Sequence, residues 1–277
     1  MSLIQSIILG IIQGITEFLP ISSSGHLAIF NIIFGLESGE DIVAFDLLLH
    51  FGTLIAVFIV YHKEIWALIK AFFTLIKKVF CGKLKEINTD ERFLIYVIIA
   101  TLPLVAVKLL GLDGYVEKIS ACLWAVGAIL IFNGAVLFFS DRFARGNIKA
   151  EEGKWYNALA VGICQMFAVL PGLSRSGSTI TGGMLNGYDR ESAVRFSFIL
   201  SIPAILGACI FEVPDLFKSV TSASQLGIYL AGTAVAAIVG VGAMNLLKYI
   251  SKKGSFRFFS YYCFAVGAFA LIYGLVK

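Results

Sequence analysis

Charged residues are scarce in this sequence. They make up 14% of its 277 residues, whereas a soluble globular domain carries about 25%. This scarcity excludes an ordinary soluble domain, and the 58% hydrophobic content indicates a polytopic membrane protein. The net charge of +4 is small, there is no low-complexity tract, and nothing in the pattern indicates nucleic-acid binding.

Closely spaced cysteines are also missing. The five cysteines are scattered, which excludes both a thiolate metal site and a disulfide framework and leaves them as small apolar core residues. A basic N-terminal region is absent as well, so we expect no cleavable signal peptide.

Long hydrophobic runs, by contrast, are abundant. A helix that crosses a hydrocarbon core about 30 Å thick needs roughly 20 apolar residues. We therefore predict an all-α integral membrane protein with six spanning helices. The six predicted spans are Val43–Tyr61, Phe93–Leu110, Ile119–Phe139, Ala193–Phe211, Leu226–Leu247 and Phe258–Val276. Pro103 and Pro203 interrupt two of them, which neighbouring helices can tolerate.

Two further apolar regions are each broken by a polar turn. Residues 2–36 contain PISSSGH and residues 155–188 contain PGLSRSGS. Since the second piece of each is too short to cross, we predict two re-entrant helical hairpins. Non-helical backbone at that depth survives only where it is buried in protein or lines a wet cavity, so both tips are candidate sites. The stretch Ile65–Phe80 is either an interfacial amphipathic helix or a cytoplasmic helical loop.

The two hairpins resemble each other in sequence. GIIQGITEFLPISSSG resembles GICQMFAVLPGLSRSG at a constant offset of 152, with Gln13 matching Gln165, Ser24 matching Ser176 and Gly25 matching Gly177. Because each hairpin precedes three spans, we predict a single membrane domain over 1–277, made of repeats 1–150 and 151–277. An odd number of spans inverts the second repeat, so the hairpin tips are expected to meet mid-membrane.

Basic residues set the orientation of a membrane protein. Along the predicted path, 17 of the 22 Lys and Arg residues fall on one side and four on the other, with Arg175 inside the second hairpin. The richer side is predicted to be cytoplasmic. The first hairpin then enters from outside, and access to the site is expected from the extracytoplasmic side.

The tip of the second hairpin, PGLSRSGSTI, is typical of an anion site. An Arg placed in the membrane costs about 2.5–3.5 kcal/mol, so Arg175 requires a compensating anion. Hydroxyls and a helix start beside a guanidinium form a phosphate cradle. The predicted cradle residues are Ser174, Arg175, Ser176, Gly177, Ser178 and Thr179. The alternative is that Arg175 pairs with Glu17 and joins the hairpins, and the two states can alternate.

The tip of the first hairpin carries a different set of groups. Gln13 and Glu17 share a helix face, and an intramembrane carboxylate is a functional candidate. Ser23 is a candidate nucleophile, with His26 three residues later as its base or acid. The other predicted phosphate-binding residues of this tip are Gln13, Ser22 and Ser24. Together the tips suit phosphoryl transfer on a lipid phosphate.

These motifs resemble those of a known family. QGITEFLPISSSGH and PGLSRSGSTI are similar to the two signature motifs of the undecaprenyl-diphosphate phosphatases, the bacitracin-resistance type of bacterial membrane phosphatase. FDLLLHFGTLIAV and RFSFILSIPAI resemble other segments of that family, so the similarity covers essentially the full length. It implies inverted repeats with two re-entrant hairpins in the bacterial plasma membrane. The implied activity is hydrolysis of undecaprenyl diphosphate to undecaprenyl phosphate, which recycles the lipid carrier of peptidoglycan synthesis.

The resemblance also implies roles for single residues. Arg175 clamps the diphosphate, Ser23 attacks the terminal phosphorus, His26 moves protons, and Glu17 orients a water, an ion or His26. A rival assignment makes His26 the nucleophile. Relatives often carry Glu where this chain has Gln13, which argues against a two-glutamate metal site. We expect Mg²⁺ or Ca²⁺ bound mainly through the substrate phosphates, with Glu17 as its protein ligand.

Other interpretations stay open beside this one. A transporter or flippase of polyprenyl phosphates would share the inverted repeats and the arginine, but it would not need a serine–histidine pair. A second lipid-phosphatase superfamily requires Lys–Arg-Pro and His–Asp elements that this sequence lacks. Asp46 and His50 share a helix face and either support the site or make polar contacts between helices. Whether the protein forms a homo-oligomer is not decided by the sequence.

Overall fold

The computed structural model describes residues 1–36, 40–82, 86–111, 116, 119–143, 146–219 and 222–276. Within these ranges the chain forms α1 (Leu3–Phe18), α2 (Ser23–Ile33), α3 (Glu40–Val60), α4 (His62–Phe80), α5 (Thr89–Leu109), α6 (Leu123–Phe143), α7 (Trp155–Phe167), α8 (Arg175–Leu185), α9 (Arg190–Ser219), α10 (Ala223–Lys253) and α11 (Arg257–Val276), with a short 3₁₀ turn at Ala150–Glu152. Of the basic residues used to predict the orientation, Lys83, Lys85, Lys118, Arg145 and Lys277 lie outside the described ranges.

Six of these helices, α3, α5, α6, α9, α10 and α11, are long and apolar enough to cross a membrane. They coincide with the six predicted spans, so the prediction of an all-α integral membrane protein is confirmed. The ends differ by a few residues, and α6 begins at Leu123 rather than Ile119. Helix α5 continues through Pro103 and α9 continues through Pro203, so neither proline interrupts its span.

The two hairpins are built from helices too short to cross. Helix α1 has 16 residues, α7 has 13, and α2 and α8 have 11 each. At 1.5 Å per residue these helices are about 17–24 Å long, short of the roughly 30 Å hydrocarbon core. Each arm therefore ends within the thickness that the six long helices define, and its polar tip lies inside the helical bundle.

Packing between the halves is reciprocal. The first arm of each hairpin packs against a spanning helix of the other half, α1 against α10 and α7 against α5. The other main contacts join α6 to α11, α3 to α10 and α3 to α9. The first-arm contacts are counterparts in the predicted inverted repeat, and α3–α9 and α6–α11 join corresponding helices, whereas α3 packs on α10 more extensively than its counterpart α9 packs on α5. The division into 1–150 and 151–277 stays a prediction. The reciprocal contacts bring the two tips toward each other.

Candidate active site

Asn133 on α6 holds the two hairpin tips together. It is fully buried; its side-chain amide donates to the Pro20 carbonyl at 3.1 Å and accepts from the Ser174 backbone N–H at 3.2 Å. Ser176 Oγ adds a direct bond, donating to the Leu19 carbonyl at 3.2 Å. The expected meeting of the tips is therefore confirmed. Asn133 was not predicted, because a lone asparagine in an apolar span belongs to no motif.

Two glycines allow the tips to approach this closely. A Cβ added at Gly25 would lie 3.2 Å from the Gly172 Cα atom. Gly172 itself has φ +95°, a conformation that L-residues avoid, and a Cβ there would lie 2.7 Å from the Val126 carbonyl oxygen.

We expect Gly172→Ala to destabilise the fold by at least about 1–2 kcal/mol, the cost of a left-handed backbone at a residue with a side chain. Gly242→Ala in α10 is the matched control, because an added Cβ there has no neighbour within 4 Å. Thermal unfolding of the purified variants compares the two. Equal midpoints would contradict the proposed close packing of the tips.

Both second arms begin with the same cap. Ser22 Oγ accepts from the Gly25 N–H at 3.3 Å, and Ser174 Oγ accepts from the Gly177 N–H at 3.1 Å. The two caps occupy equivalent positions in the repeat, offset by 152. Ser22 adopts φ 71°, the one positive φ among the described non-glycine residues. Such strain concentrates at functional sites. The two caps place the N-termini of α2 and α8 at the two tips.

Glu17 is the centre of the polar contacts. Its Oε1 atom accepts from the Arg175 guanidinium of the opposite hairpin. Its Oε2 atom accepts from Ser23 Oγ at 2.7 Å and from Gln13 Nε2 at 3.1 Å. Glu17 is 6% exposed, so the carboxylate end of this ion pair is buried, while the Arg175 side chain is 21% exposed. The predicted Glu17–Arg175 pairing is thus present, and it links a candidate nucleophile to the candidate phosphate clamp.

A cavity of about 220 Å³ opens beside this ion pair. Six of the predicted site residues line it: Glu17, Ser22, Ser23, Ser24, Ser174 and Arg175. Its apolar lining residues come from α5, α9 and the turn before α8. A cavity with both charged and apolar lining residues matches a ligand with a charged head and a hydrocarbon tail.

His26 occupies a different environment from the one its spacing suggested. Its Nδ1 donates to the Ser22 carbonyl at 2.7 Å, and its Nε2 accepts from the Tyr262 hydroxyl at 2.9 Å. The two rings also stack, with centroids 5.6 Å apart. Both imidazole nitrogens are therefore engaged, and Ser23 pairs with Glu17 instead. The proton-moving role of His26 stays a prediction that requires the Tyr262 bond to open.

The other predicted site residues are not among those that line the cavity. Thr179 Oγ1 lies 2.8 Å from the Arg175 carbonyl, to which it donates, and 2.6 Å from Ser197 Oγ. The Gly177 N–H donates to Ser174 Oγ in the helix cap, and Gln13 is fully buried. In this arrangement these groups position the tips, and their direct contact with a phosphate stays a prediction.

Three polar residues that were not among the predicted site residues also line the cavity: Thr16 on α1, His50 on α3 and Gln165 on α7. His50 Nε2 lies 3.7 Å from Glu17 Oε2. Gln165 is 2% exposed, and its Oε1 atom has no hydrogen-bond partner. Gln165 could have been predicted as a site residue because it is the repeat counterpart of Gln13. For His50 the sequence offered a weaker signal, its position on the same helix face as Asp46.

The cavity offers one carboxylate to a cation. Among the described residues no three His, Cys, Asp or Glu side chains gather to form a metal site. A cage made of protein ligands alone therefore does not fit here. A divalent cation held mainly by substrate phosphate oxygens, with Glu17 as its single carboxylate, fits the donors that are present.

A larger cavity of about 640 Å³ lies at the N-terminal end of α9 and is lined by charged residues of both signs. Arg195 pairs there with Glu151. Arg190 pairs with Asp141 at 2.7 Å. Because the positive and negative side chains around this cavity pair with one another, we interpret them as surface ion pairs. The cavity is therefore a weaker candidate for the functional site.

Comparisons with known proteins bear on the whole chain. A family model described as "Bacitracin resistance protein BacA" matches residues 6–269. Three curated relatives carry the name undecaprenyl-diphosphatase. That of Methanobrevibacter smithii is 41% identical over 96% of both chains. That of Methanosphaera stadtmanae is 40% identical over 100% of this chain and 99% of the relative. That of Alkaliphilus metalliredigens is 37% identical over 100% of both.

Proposed function

The chain belongs to the family of bacitracin resistance protein BacA, and we propose that it hydrolyses undecaprenyl diphosphate to undecaprenyl phosphate and inorganic phosphate. The relatives are named for this activity. The structural observation that carries the proposal is the Glu17–Arg175 pair between the two tips, with Ser23 on the same carboxylate. The reaction regenerates the lipid carrier of peptidoglycan synthesis, and we assign bacitracin resistance to the same activity.

Arg175 is placed to exchange one anion for another. Its side chain is 21% exposed at the cavity and is held by Glu17. A diphosphate entering between the helix N-termini of α2 and α8 brings more negative charge than a single carboxylate, and backbone N–H groups there favour it. The substrate diphosphate can thus replace Glu17 as the ion-pair partner of Arg175. The pairing of Arg175 with Glu17 and its binding of phosphate are therefore successive states of one site.

Once Arg175 binds the substrate phosphates instead of Glu17, the Glu17 carboxylate is free to act as a base. Ser23 already donates its hydroxyl proton to Glu17 Oε2 at 2.7 Å. As Ser23 Oγ attacks the terminal phosphorus, Glu17 takes that proton, the bridging P–O bond breaks, and undecaprenyl phosphate leaves. Water then hydrolyses the phosphoserine, which yields inorganic phosphate and restores the serine. A divalent cation held by Glu17 and the phosphates would neutralise charge in the transition state.

The apolar lining residues indicate where the lipid tail lies. Leu104 on α5 and Ala204, Ile205 and Ala208 on α9 line the same cavity as the polar tips. These residues belong to two predicted spans, so a prenyl chain lying along them extends into the bilayer. The headgroup reaches the site without leaving the membrane, which suits a lipid substrate.

We place the site on the extracytoplasmic side of a plasma membrane, because the basic residues favour the opposite side as cytoplasmic. Ser24 and Cys81 are both exposed and lie on opposite sides of this predicted path. In a Cys122→Ser background, an impermeant maleimide added to intact cells should label the Ser24→Cys variant and spare Cys81. Labelling of Cys81 alone would reverse the assignment.

Phosphate release tests the proposed activity directly. The purified protein in detergent, given undecaprenyl diphosphate and Mg²⁺ or Ca²⁺, should release one inorganic phosphate per lipid. A transporter of polyprenyl phosphates would instead move labelled lipid across a vesicle bilayer without releasing phosphate. Lipid movement without hydrolysis would therefore exclude the proposed reaction.

A further inference from the structure

His50 lies at the middle of a membrane-spanning helix. It is ten residues from each end of α3, or about 15 Å along the helix axis. A polar side chain at that depth faces the bundle interior or a wet cavity and is a candidate for function. His50 does line the cavity, and its side chain is 33% exposed.

One nitrogen of His50 is fixed and the other is open. Nδ1 lies 2.8 Å from the Asp46 carbonyl oxygen, and since that oxygen can only accept, Nδ1 carries the hydrogen. Within the part of the chain that the structure describes, no group hydrogen-bonds to Nε2. The separation of 3.7 Å from Glu17 Oε2 exceeds a hydrogen bond and leaves that nitrogen facing the cavity.

The position of Glu17 ties His50 to the phosphate clamp. Arg175 holds one oxygen of this carboxylate and His50 lies near the other. Arg175 on α8 and His50 on α3 therefore approach the same part of the cavity, beside the Glu17 carboxylate. His26, by contrast, has both nitrogens engaged and does not line the cavity.

We propose that His50 is a substrate-contacting residue of this site, with the Nε2–H of its imidazolium form donating to the diphosphate headgroup that Arg175 binds. The inference rests on the proposed function for the identity of the substrate. The proposal makes His50 of α3 the histidine that contacts the substrate phosphate, whereas the serine–histidine motif would give this role to His26 of α2.

The chain offers its own controls, because it has three histidines. His50 is partly exposed at the cavity, His62 is exposed outside it, and His26 is 4% exposed. Diethyl pyrocarbonate followed by mass spectrometry should label His50 and His62 and spare His26. Inorganic pyrophosphate at about ten times its dissociation constant should slow labelling of His50 roughly tenfold, because only the free site reacts, and should leave His62 unchanged.

Kinetics of variants give a second readout. His50→Ala should lower kcat/KM about 10- to 100-fold, as expected for the loss of a hydrogen bond to a charged group, and should raise the inhibition constant of pyrophosphate by a similar factor. His50→Gln keeps an N–H donor and should recover most of both. His62→Gln should behave like the wild type.

Two results would overturn the proposal. Labelling of His50 at the same rate with and without pyrophosphate shows that the headgroup does not reach it. A His50→Ala variant with an unchanged pyrophosphate inhibition constant shows that the residue acts only on the fold. If the wild type releases no phosphate from undecaprenyl diphosphate, the proposed function fails, while the labelling experiment still reports whether a diphosphate contacts His50.

Discussion

Replacing Arg175 with alanine is expected to lower kcat/KM for undecaprenyl diphosphate by roughly 10³- to 10⁵-fold, the range for an arginine that stabilises transferring phosphoryl charge. Arg175 is the only Lys or Arg among the described residues that line the cavity. Its loss therefore removes the one fixed positive charge from the site. Phosphate release by the purified variant measures the effect.

The control for Arg175→Ala must separate binding from folding. Removing one partner of a buried ion pair costs about 3–5 kcal/mol, because the remaining charge is left unpaired. Arg175→Ala combined with Glu17→Gln removes that charge and should regain thermal stability without regaining activity. Arg92→Ala, at an exposed position on α5, should match the wild type in both respects. Activity of Arg175→Ala within tenfold of the wild type would refute the clamp.

The fold follows from properties that are local in the sequence. Run length and hydropathy located the six spans, and the short second arms revealed the hairpins, because bilayer thickness sets a minimum helix length. Helix ends were less accurate. Pro103 looked like an interruption, yet α5 packs against α4 and α7 along its length and stays helical through it.

The site was only partly readable because side-chain orientation depends on distant residues. The motifs supplied Glu17, Ser23 and Arg175, which the structure brings together. The imidazole was less predictable, since the orientation of the His26 ring is set by Tyr262, 236 positions away. His50 carries no motif either, and reaches the cavity only through the packing of α3 beside α1.

Ser23→Ala is expected to lower turnover by a factor on the order of 10⁴ or more, as the removal of a covalent nucleophile does in other hydrolases. Ser23 Oγ is the hydroxyl at the cavity that is bonded to a carboxylate base. Ser224→Ala, at an exposed position on α10, is the matched control and should retain full phosphate release. Residual turnover above about 1% of the wild type would indicate that another group attacks the phosphorus.

The linkage to phosphorus distinguishes the two rival nucleophiles. Attack by Ser23 leaves a phosphoserine, which withstands acid and is cleaved by alkali, whereas attack by His26 leaves a phosphohistidine with the opposite stability. Enzyme quenched during turnover of terminally ³²P-labelled substrate should carry acid-stable label that is lost in Ser23→Ala. The bonds of His26 to Ser22 and Tyr262 favour this outcome, because attack by Nε2 would first have to break its hydrogen bond to the Tyr262 hydroxyl. Alkali-stable label that persists in Ser23→Ala would show that the Tyr262 bond opens and that His26 is the nucleophile.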